Sequence, residues 1–273
     1  MKHVMGNADM ANERLKENVF AAERRRRIAR IVNGQGSCSI AELARMLNVS
    51  EMTIHRDLSV LESMGLLRKT RGGALAAEPY LVPVDYQDRL RSSQAEKDAI
   101  GRAAAEFIRD GDTIILEAST TALSVARYCR KFTNLLVYTN SPLVVVEMSQ
   151  MPGVEVYCCG GLLSKRTMCL VGPDAEQLFA TIRPDKCFLG ANGLTVEEGV
   201  TDPLPMEASI KRRMVEVSQE VFVVATHDKF GRVSSHISAP LQAIDVVVTD
   251  AGTSEEYIQA LTEHGVRCVV APA

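Results

Sequence analysis

Apolar positions divide the chain into two differently patterned parts. In "SIAELARML", Ile40, Leu43, Ala44 and Leu47 recur at the i, i+3, i+4, i+7 spacing of a helix with one buried face. Ahead of it, "ERRRRIARIV" places Ile28, Ile31 and Val32 on one side. This predicts a first helix from Glu23 to about Val32, stopped by Asn33-Gly34. After the turn "NVS" a third helix is expected, with Ser50 as its cap and Glu51 at the positive end of its dipole. Ile54, Leu58 and Leu61 line its inner side. At about 100° per residue, Met52, Arg56 and Ser59 then point away from the core, with Thr53 and His55 on the flanks. "LLRKTRGGALA" reads as a short hairpin, with Arg68, Lys69 and Arg71 near its tip and Gly72-Gly73 permitting a tight turn.

From about residue 95 the pattern changes to short apolar runs separated by helical stretches. Strands are expected at "DTIILE", "LLVYT", "VEVYCC", "CFLGA", "VFVVAT", "DVVVTD" and "RCVVA", and helices at 95–109, 121–130, 142–149, 205–218 and 255–263. Such alternation predicts a mostly parallel sheet with helices on both faces. The organisation read from these patterns has four parts. They are a flexible tail over 1–22, a three-helix-and-hairpin domain over 23–78, a linker rich in Ala and Pro over 79–94, and an α/β domain over 95–273.

Composition changes this picture at two points. The overall charge of −3 is uneven: residues 1–78 hold 13 Lys+Arg against 9 Asp+Glu, and the remainder holds 18 against 25. A polyanion is therefore expected to meet only the N-terminal part. Seven cysteines, with no Cys-x-x-Cys spacing, predict reduced thiols and no metal site. No apolar run is long enough for a membrane span, and "MKHVMGNADMANERLKENVF" lacks the apolar block of a secretory signal, so a cytoplasmic protein is expected.

Two helices joined by a short turn and followed by a basic hairpin describe a winged helix-turn-helix, whose third helix is suited to the major groove of double-stranded DNA. The candidate DNA-contacting residues are Arg24 and Arg25 of the first helix, Ser50, Met52, Thr53, His55, Arg56 and Ser59 of the third, and Arg68, Lys69 and Arg71 of the wing. Arginines of the first helix and the wing are expected on phosphates. The segment "SIAELARMLNVSEMTIHRDLSVLESMGLLRKTRGGA" closely resembles the DNA-binding domain of the DeoR family of bacterial transcriptional regulators. The matches are Glu42-Leu43-Ala44, Val49-Ser50, Thr53-Ile54, Arg56-Asp57-Leu58, Leu61-Glu62, Gly65-Leu66-Leu67 and Gly72-Gly73-Ala74. His55 stands where that family usually has arginine, which bears on the operator sequence.

The second part offers candidate chemistry at its strand ends, where ligands of open α/β sheets bind. Ser119, Thr120 and Thr121 stand at the start of a helix, a place suited to an anion. "GDTI", Thr120-Thr121, "TNS", Gly160-Gly161, Gly172, "FLGANGL", Thr201 and "HDKFG" resemble the effector domain of the same family. That resemblance implies an isomerase-like α/β fold sensing a phosphorylated sugar or related metabolite. Ser119, Thr120, Thr121 and Lys229 would hold its phosphate, with Asn140, Gly161, Asn192 and Thr201 completing the site. Two departures imply an atypical effector. The family's usual Asp-x-Gly reads Glu117-Ala118-Ser119, and its Ala-Asp-His-Ser-Lys reads Ala225-Thr226-His227-Asp228-Lys229.

The expected function is a repressor of a carbohydrate-catabolism operon, acting as a homodimer or homotetramer, without cofactor. The alternative is a sugar-phosphate isomerase-like enzyme with a tethered DNA module, in which Glu117, Glu207, His227 or Asp228 could serve as a general base. No second motif fixes an acid–base pair, so no catalytic residue is assigned.

Overall fold

The computed structural model describes residues 21, 24–25, 27–29, 31–32, 37–63, 67–76 and 86–272. The chain divides into two compact units, Met1–Val82 and Pro83–Ala273. The tail expected over 1–22 lies, residue 21 apart, outside the described residues.

In the first unit the described residues between 21 and 32 are helical. There follow β1 (Ser37–Ser39), α1 (Ile40–Leu47), α2 (Glu51–Ser63), β2 (Leu67–Lys69) and β3 (Gly73–Ala76). β3 lies between β1 and β2, antiparallel to both. Strand β1 was not anticipated. Ser39 starts α1 with a capping box: its hydroxyl accepts the Glu42 N–H at 3.2 Å, and Glu42 accepts the Ser39 N–H at 3.0 Å. The apolar faces of the helices meet over β2 and β3 in one core, built from Ile28, Val32, Leu43, Ile54, Leu58 and Leu61.

The second unit opens with α3 (Tyr86–Arg91) and α4 (Gln94–Ala105). The stretch expected to be a linker thus contains an ordered helix. Tyr86 anchors it: its ring is buried and its N–H donates to the Arg166 carbonyl at 2.9 Å. Then come β4 (Thr113–Leu116), α5 (Thr120–Arg127), β5 (Leu135–Thr139), α6 (Pro142–Met148), β6 (Val154–Cys158), β7 (Leu162–Ser164), β8 (Cys169–Val171), α7 (Pro173–Ala180) and β9 (Lys186–Gly190). The chain continues through β10 (Gly193–Thr195), β11 (Gly199–Asp202), α8 (Pro205–Val217), β12 (Glu220–Val224), β13 (His236–Ala239), β14 (Val246–Asp250), α9 (Glu255–Glu263) and β15 (Arg267–Ala271).

All seven expected strands form one parallel sheet in the order β15-β14-β12-β9-β4-β5-β6. Its side chains alternate between two cores. Ile114, Leu116, Phe188, Phe222, Val224 and Val248 face α4, α5 and α6. Ile115, Cys187, Leu189, Val221, Val223 and Val247 face α7, α8 and α9. Burial on both sides is why these strands read as unbroken apolar runs. The strands not anticipated are short and antiparallel: β7 pairs β8, and β10, β11 and β13 form a small sheet. Helix α7 was also missed.

All seven cysteines are free. Burial pushes the thiols of Cys129 and Cys159 up to about 12, which keeps both protonated near neutral pH. Among the described residues no group of His, Cys, Asp and Glu could hold a metal ion, and no helix is long and apolar enough to cross a membrane.

Candidate DNA-binding face and effector site

On α2 the outer face is the expected one. Ser50 Oγ accepts the Thr53 N–H at 3.3 Å and shares a hydrogen bond with the Thr53 hydroxyl at 2.9 Å. Met52 is 71% exposed, Arg56 and Ser59 are exposed, and Thr53 and His55 are half-buried. Ile54 and Leu58 are fully buried on the opposite side. The wing is tied to this helix. Lys69 Nζ donates to Ser59 Oγ at 2.9 Å, and the Lys69 N–H donates to Glu62 Oε1 at 2.8 Å. Ser59 and Lys69 therefore brace each other, while Arg68 and Arg71 stay exposed.

Arg24 and Arg25, expected on phosphates, also have a partner within their own unit. Their Nε atoms meet the two oxygens of Asp57 at 2.6 and 2.9 Å, and Asp57 is only 1% exposed. An acid on the buried side of α2 is thus paired with the first helix. Among the described residues Arg56 has no such tie. Arg56→Ala should lower operator affinity by at least about 1–3 kcal/mol without shifting the unfolding midpoint. Operator binding measured with the full chain checks this, and unchanged affinity would remove Arg56 from the interface.

In the second unit the candidate residues gather at the C-terminal edge of the parallel sheet. Ser119 caps α5, its hydroxyl accepting the Ala122 N–H at 3.0 Å. Its side chain also fills the space over Gly190: a Cβ there would lie 2.3 Å from Ser119 Cβ. The departure at position 119 is thus accommodated only because β9 ends in glycine. Thr120 and Thr121 are buried at the start of α5. Thr120 lines a cleft of about 420 Å³ with Leu90, Lys97, Ser124 and Arg127.

Cations converge beside this cleft. Lys97 is buried, its ammonium donating to the carbonyls of Arg89 and, at 2.6 Å, Ser92. Burial, and then the nearby charge of Lys229, lower its pKa to about 8, while Asp228 partly offsets them. Lys229 is itself held by Asp228 at 2.8 Å, and burial pulls its pKa down. Asp228 also accepts from the Thr226 hydroxyl at 2.5 Å and lies 3.4 Å from Arg232. The acid moved two positions along the chain therefore lies against the candidate phosphate-binding lysine.

Deeper in the same edge lies a network that sequence reading missed. Lys211 of α8 donates to Asp202 Oδ1 at 2.9 Å and to the Gly190 carbonyl at 2.8 Å, with Glu117 Oε1 at 3.7 Å. Burial works against its charge, but Asp202 and Glu117 outweigh burial and hold it above the ordinary lysine range. Burial raises the Glu117 carboxyl, and Lys211 partly offsets that rise. Asn192 donates to Asp202 at 2.6 Å, and the Ser238 hydroxyl donates to its other oxygen. Glu207, one turn before Lys211, accepts from the Thr167 hydroxyl.

Three effector-site candidates are fitted closely within the fold. Asn140 takes the Ala118 N–H at 2.9 Å and donates to the Leu170 carbonyl at 3.3 Å, so both ends of its amide are engaged. Thr201 is buried and accepts the Ser234 N–H at 2.8 Å. Gly161 has φ of +115°, with the Val171 carbonyl 2.6 Å from where a Cβ would sit. The His227 Nδ1 lies 2.7 Å from Asp250 Oδ1.

The arrangement is a DNA-sized helix face on one unit and a cationic cleft over a buried charged network on the other. A family model described as DeoR-like helix-turn-helix domain matches residues 24–79, and one described as DeoR C terminal sensor domain matches residues 92–251. Similar relatives include the uncharacterized HTH-type transcriptional regulator YulB of Bacillus subtilis, 34% identical over 93% of this chain and 98% of that protein. The putative aga operon transcriptional repressor of Escherichia coli O157:H7 is 32% identical over 97% of this chain and 99% of that protein. The HTH-type transcriptional regulator GlpR of Haloferax volcanii is 36% identical over 92% and 98%. Among solved structures, ribose 5-phosphate isomerase A of Methanocaldococcus jannaschii is similar at 14% identity and a TM-score of 0.38, over 51% of this chain and 55% of that one. A likeness that loose says nothing about ligand or chemistry. With both parts matched in order and relatives aligned almost end to end, the chain belongs to the DeoR family of transcriptional regulators.

Proposed function

We propose that this regulator represses a carbohydrate-catabolism operon in the cytoplasm and that a phosphorylated sugar, bound at the sheet edge of the second unit, alters its grip on operator DNA. The observation that carries the ligand class is the cleft at the start of α5, lined by Lys97 and Arg127 with Thr120, Ser124 and the acid Asp98, where the charge of Lys229, itself held by Asp228, acts on Lys97. A phosphate dianion supplies the missing negative charge, and helix N–H groups suit its oxygens. Relatives named as repressors of the aga operon and as the repressor GlcR of Bacillus subtilis support the repressor reading. A homodimer or homotetramer is expected, because one winged helix reads few base pairs.

The test is a thermal-shift and operator-release panel of pentose and hexose phosphates on the full chain. At least one should raise the unfolding midpoint and change operator affinity about tenfold, a coupling of about 1.4 kcal/mol. Lys229→Ala should keep operator binding and blunt the response. The response should also weaken as pH rises through about 8, where Lys97 loses its charge. A silent panel removes the sugar-phosphate reading. Turnover of any sugar phosphate would favour the isomerase-like alternative, for which Asp250 already orients His227.

A further inference from the structure

Helix α3 carries buried polar atoms that have no hydrogen-bond partner among the described residues. Tyr86 is 1% exposed and its hydroxyl has no hydrogen-bond partner. The Nε and Nη2 atoms of Arg89 are buried and equally without partners. Buried donors are ordinarily paired, because an unpaired one keeps its full desolvation cost. Here the unpaired donors sit on two residues one turn apart, the Arg89 guanidinium 5.5 Å from the Tyr86 ring centroid. Structure alone does not need them as they stand.

Their surroundings say what they face. Leu90 of α3 and Lys97 line the cleft at the start of α5, and Lys97 donates to the Arg89 carbonyl, so α3 borders that cleft. Arg89 forms no salt bridge with a carboxylate among the described residues. Burial pushes the Tyr86 hydroxyl up to about 12, and the charges of Arg89, Glu117 and Arg127 act on it.

We propose that Tyr86 and Arg89 complete the effector site, Arg89 binding the phosphate and Tyr86 a hydroxyl of the attached sugar. This rests on the sugar-phosphate reading above and extends it to regulation. α3 is the first helix of its unit, beginning four residues past Val82, where the DNA-binding unit ends. A ligand held by α3 therefore acts on the chain close to where it leaves that unit. Lys97 ties the end of the same helix through the carbonyls of Arg89 and Ser92, so helix and cation respond together.

The two residues make separable predictions in the full-length protein, first titrated with inorganic phosphate and then with the tightest binder from the sugar-phosphate panel. Arg89→Gln should weaken both about tenfold, the loss of one charge-assisted hydrogen bond. Tyr86→Phe should leave inorganic phosphate unchanged and weaken the sugar phosphate about five- to tenfold. Removing an unpaired hydroxyl should leave the ligand-free unfolding midpoint equal to or above that of the wild type. A lowered ligand-free midpoint with intact sugar-phosphate affinity would show a structural hydroxyl and overturn the assignment of Tyr86. Wild-type affinity in both variants would overturn the proposal while the sugar-phosphate reading stands. Failure of the wild type to bind any phosphate removes that reading, and this proposal with it.

Discussion

Lys211→Met should lower the stability of the second unit by about 3–5 kcal/mol, the loss expected when one partner of a buried ion pair is removed. Asp202 is 0% exposed and Glu117 5% exposed, so neither carboxylate can turn to solvent when the ammonium is gone. Asn192 and Ser238 still donate to Asp202, and they blunt the loss without supplying charge. The pH dependence has a definite sign. Lys211 is the main influence holding the Glu117 carboxyl down against burial, so the substitution pushes that group further up. A carboxyl whose folded pKa exceeds its unfolded value gives stability below the unfolded pKa and loses it as pH rises. The deficit of the variant should therefore shrink as pH falls from 8 toward 5. Urea unfolding followed by circular dichroism measures both effects. A loss under about 1 kcal/mol would mean that the network is not a charged one. Adding Asp202→Asn to Lys211→Met should recover part of the loss, because the cost lies in the uncompensated acid.

Arg24→Ala combined with Arg25→Ala should be about as damaging to the first unit, again about 3–5 kcal/mol. The reason is an asymmetry. Asp57 is 1% exposed, whereas the arginine side chains are 23% and 29% exposed. Removing the arginines strands a buried carboxylate. Removing the carboxylate frees two guanidiniums that can rehydrate where they stand. Asp57→Asn should accordingly cost less, about 1.5–3 kcal/mol for the lost charge-assisted hydrogen bonds. The triple variant should be no worse than the double, and more stable than it if asparagine is satisfied in place. Limited proteolysis of the first unit, together with operator binding, separates these cases. A double variant as stable as the wild type would mean that the pairs are surface ornaments, worth the roughly 0–1 kcal/mol of exposed ion pairs.

These two networks also mark where sequence reading stopped. The strands of the parallel sheet were legible because each is buried on both faces and so reads as an apolar run. β1, β7, β8 and β10 were not, because three residues carry no period. α3 is only six residues long and follows an Ala- and Pro-rich stretch, so its amphipathic pattern never completes. At the site, Ser119, Thr120 and Thr121 were legible as residues that suit an anion, and Lys229 only through the family resemblance. Lys211 was not, because "IKRRM" reads as a solvated basic face. A signal was nevertheless present. Lys211 falls three residues after Ala208 and three before Met214, on the buried stripe of α8. Asp57 shows the same mark, three after Ile54 and four before Leu61. A charge at a core position of a helix calls for a partner elsewhere in the chain, and only the tertiary fold says which one.

The strand order of the large sheet has a consequence for how the chain is made. β4, β5 and β6 are neighbours in sequence and in space, β9 then joins the free side of β4, and β12, β14 and β15 follow outward in turn. Every strand after the first pairs with an edge already in place, and none is inserted between two others. The sheet can therefore grow by accretion as the polypeptide is made, each strand adding to an existing edge. Truncations ending after β9, β12 or β14 would be expected to present an open strand edge, a ready template for aggregation.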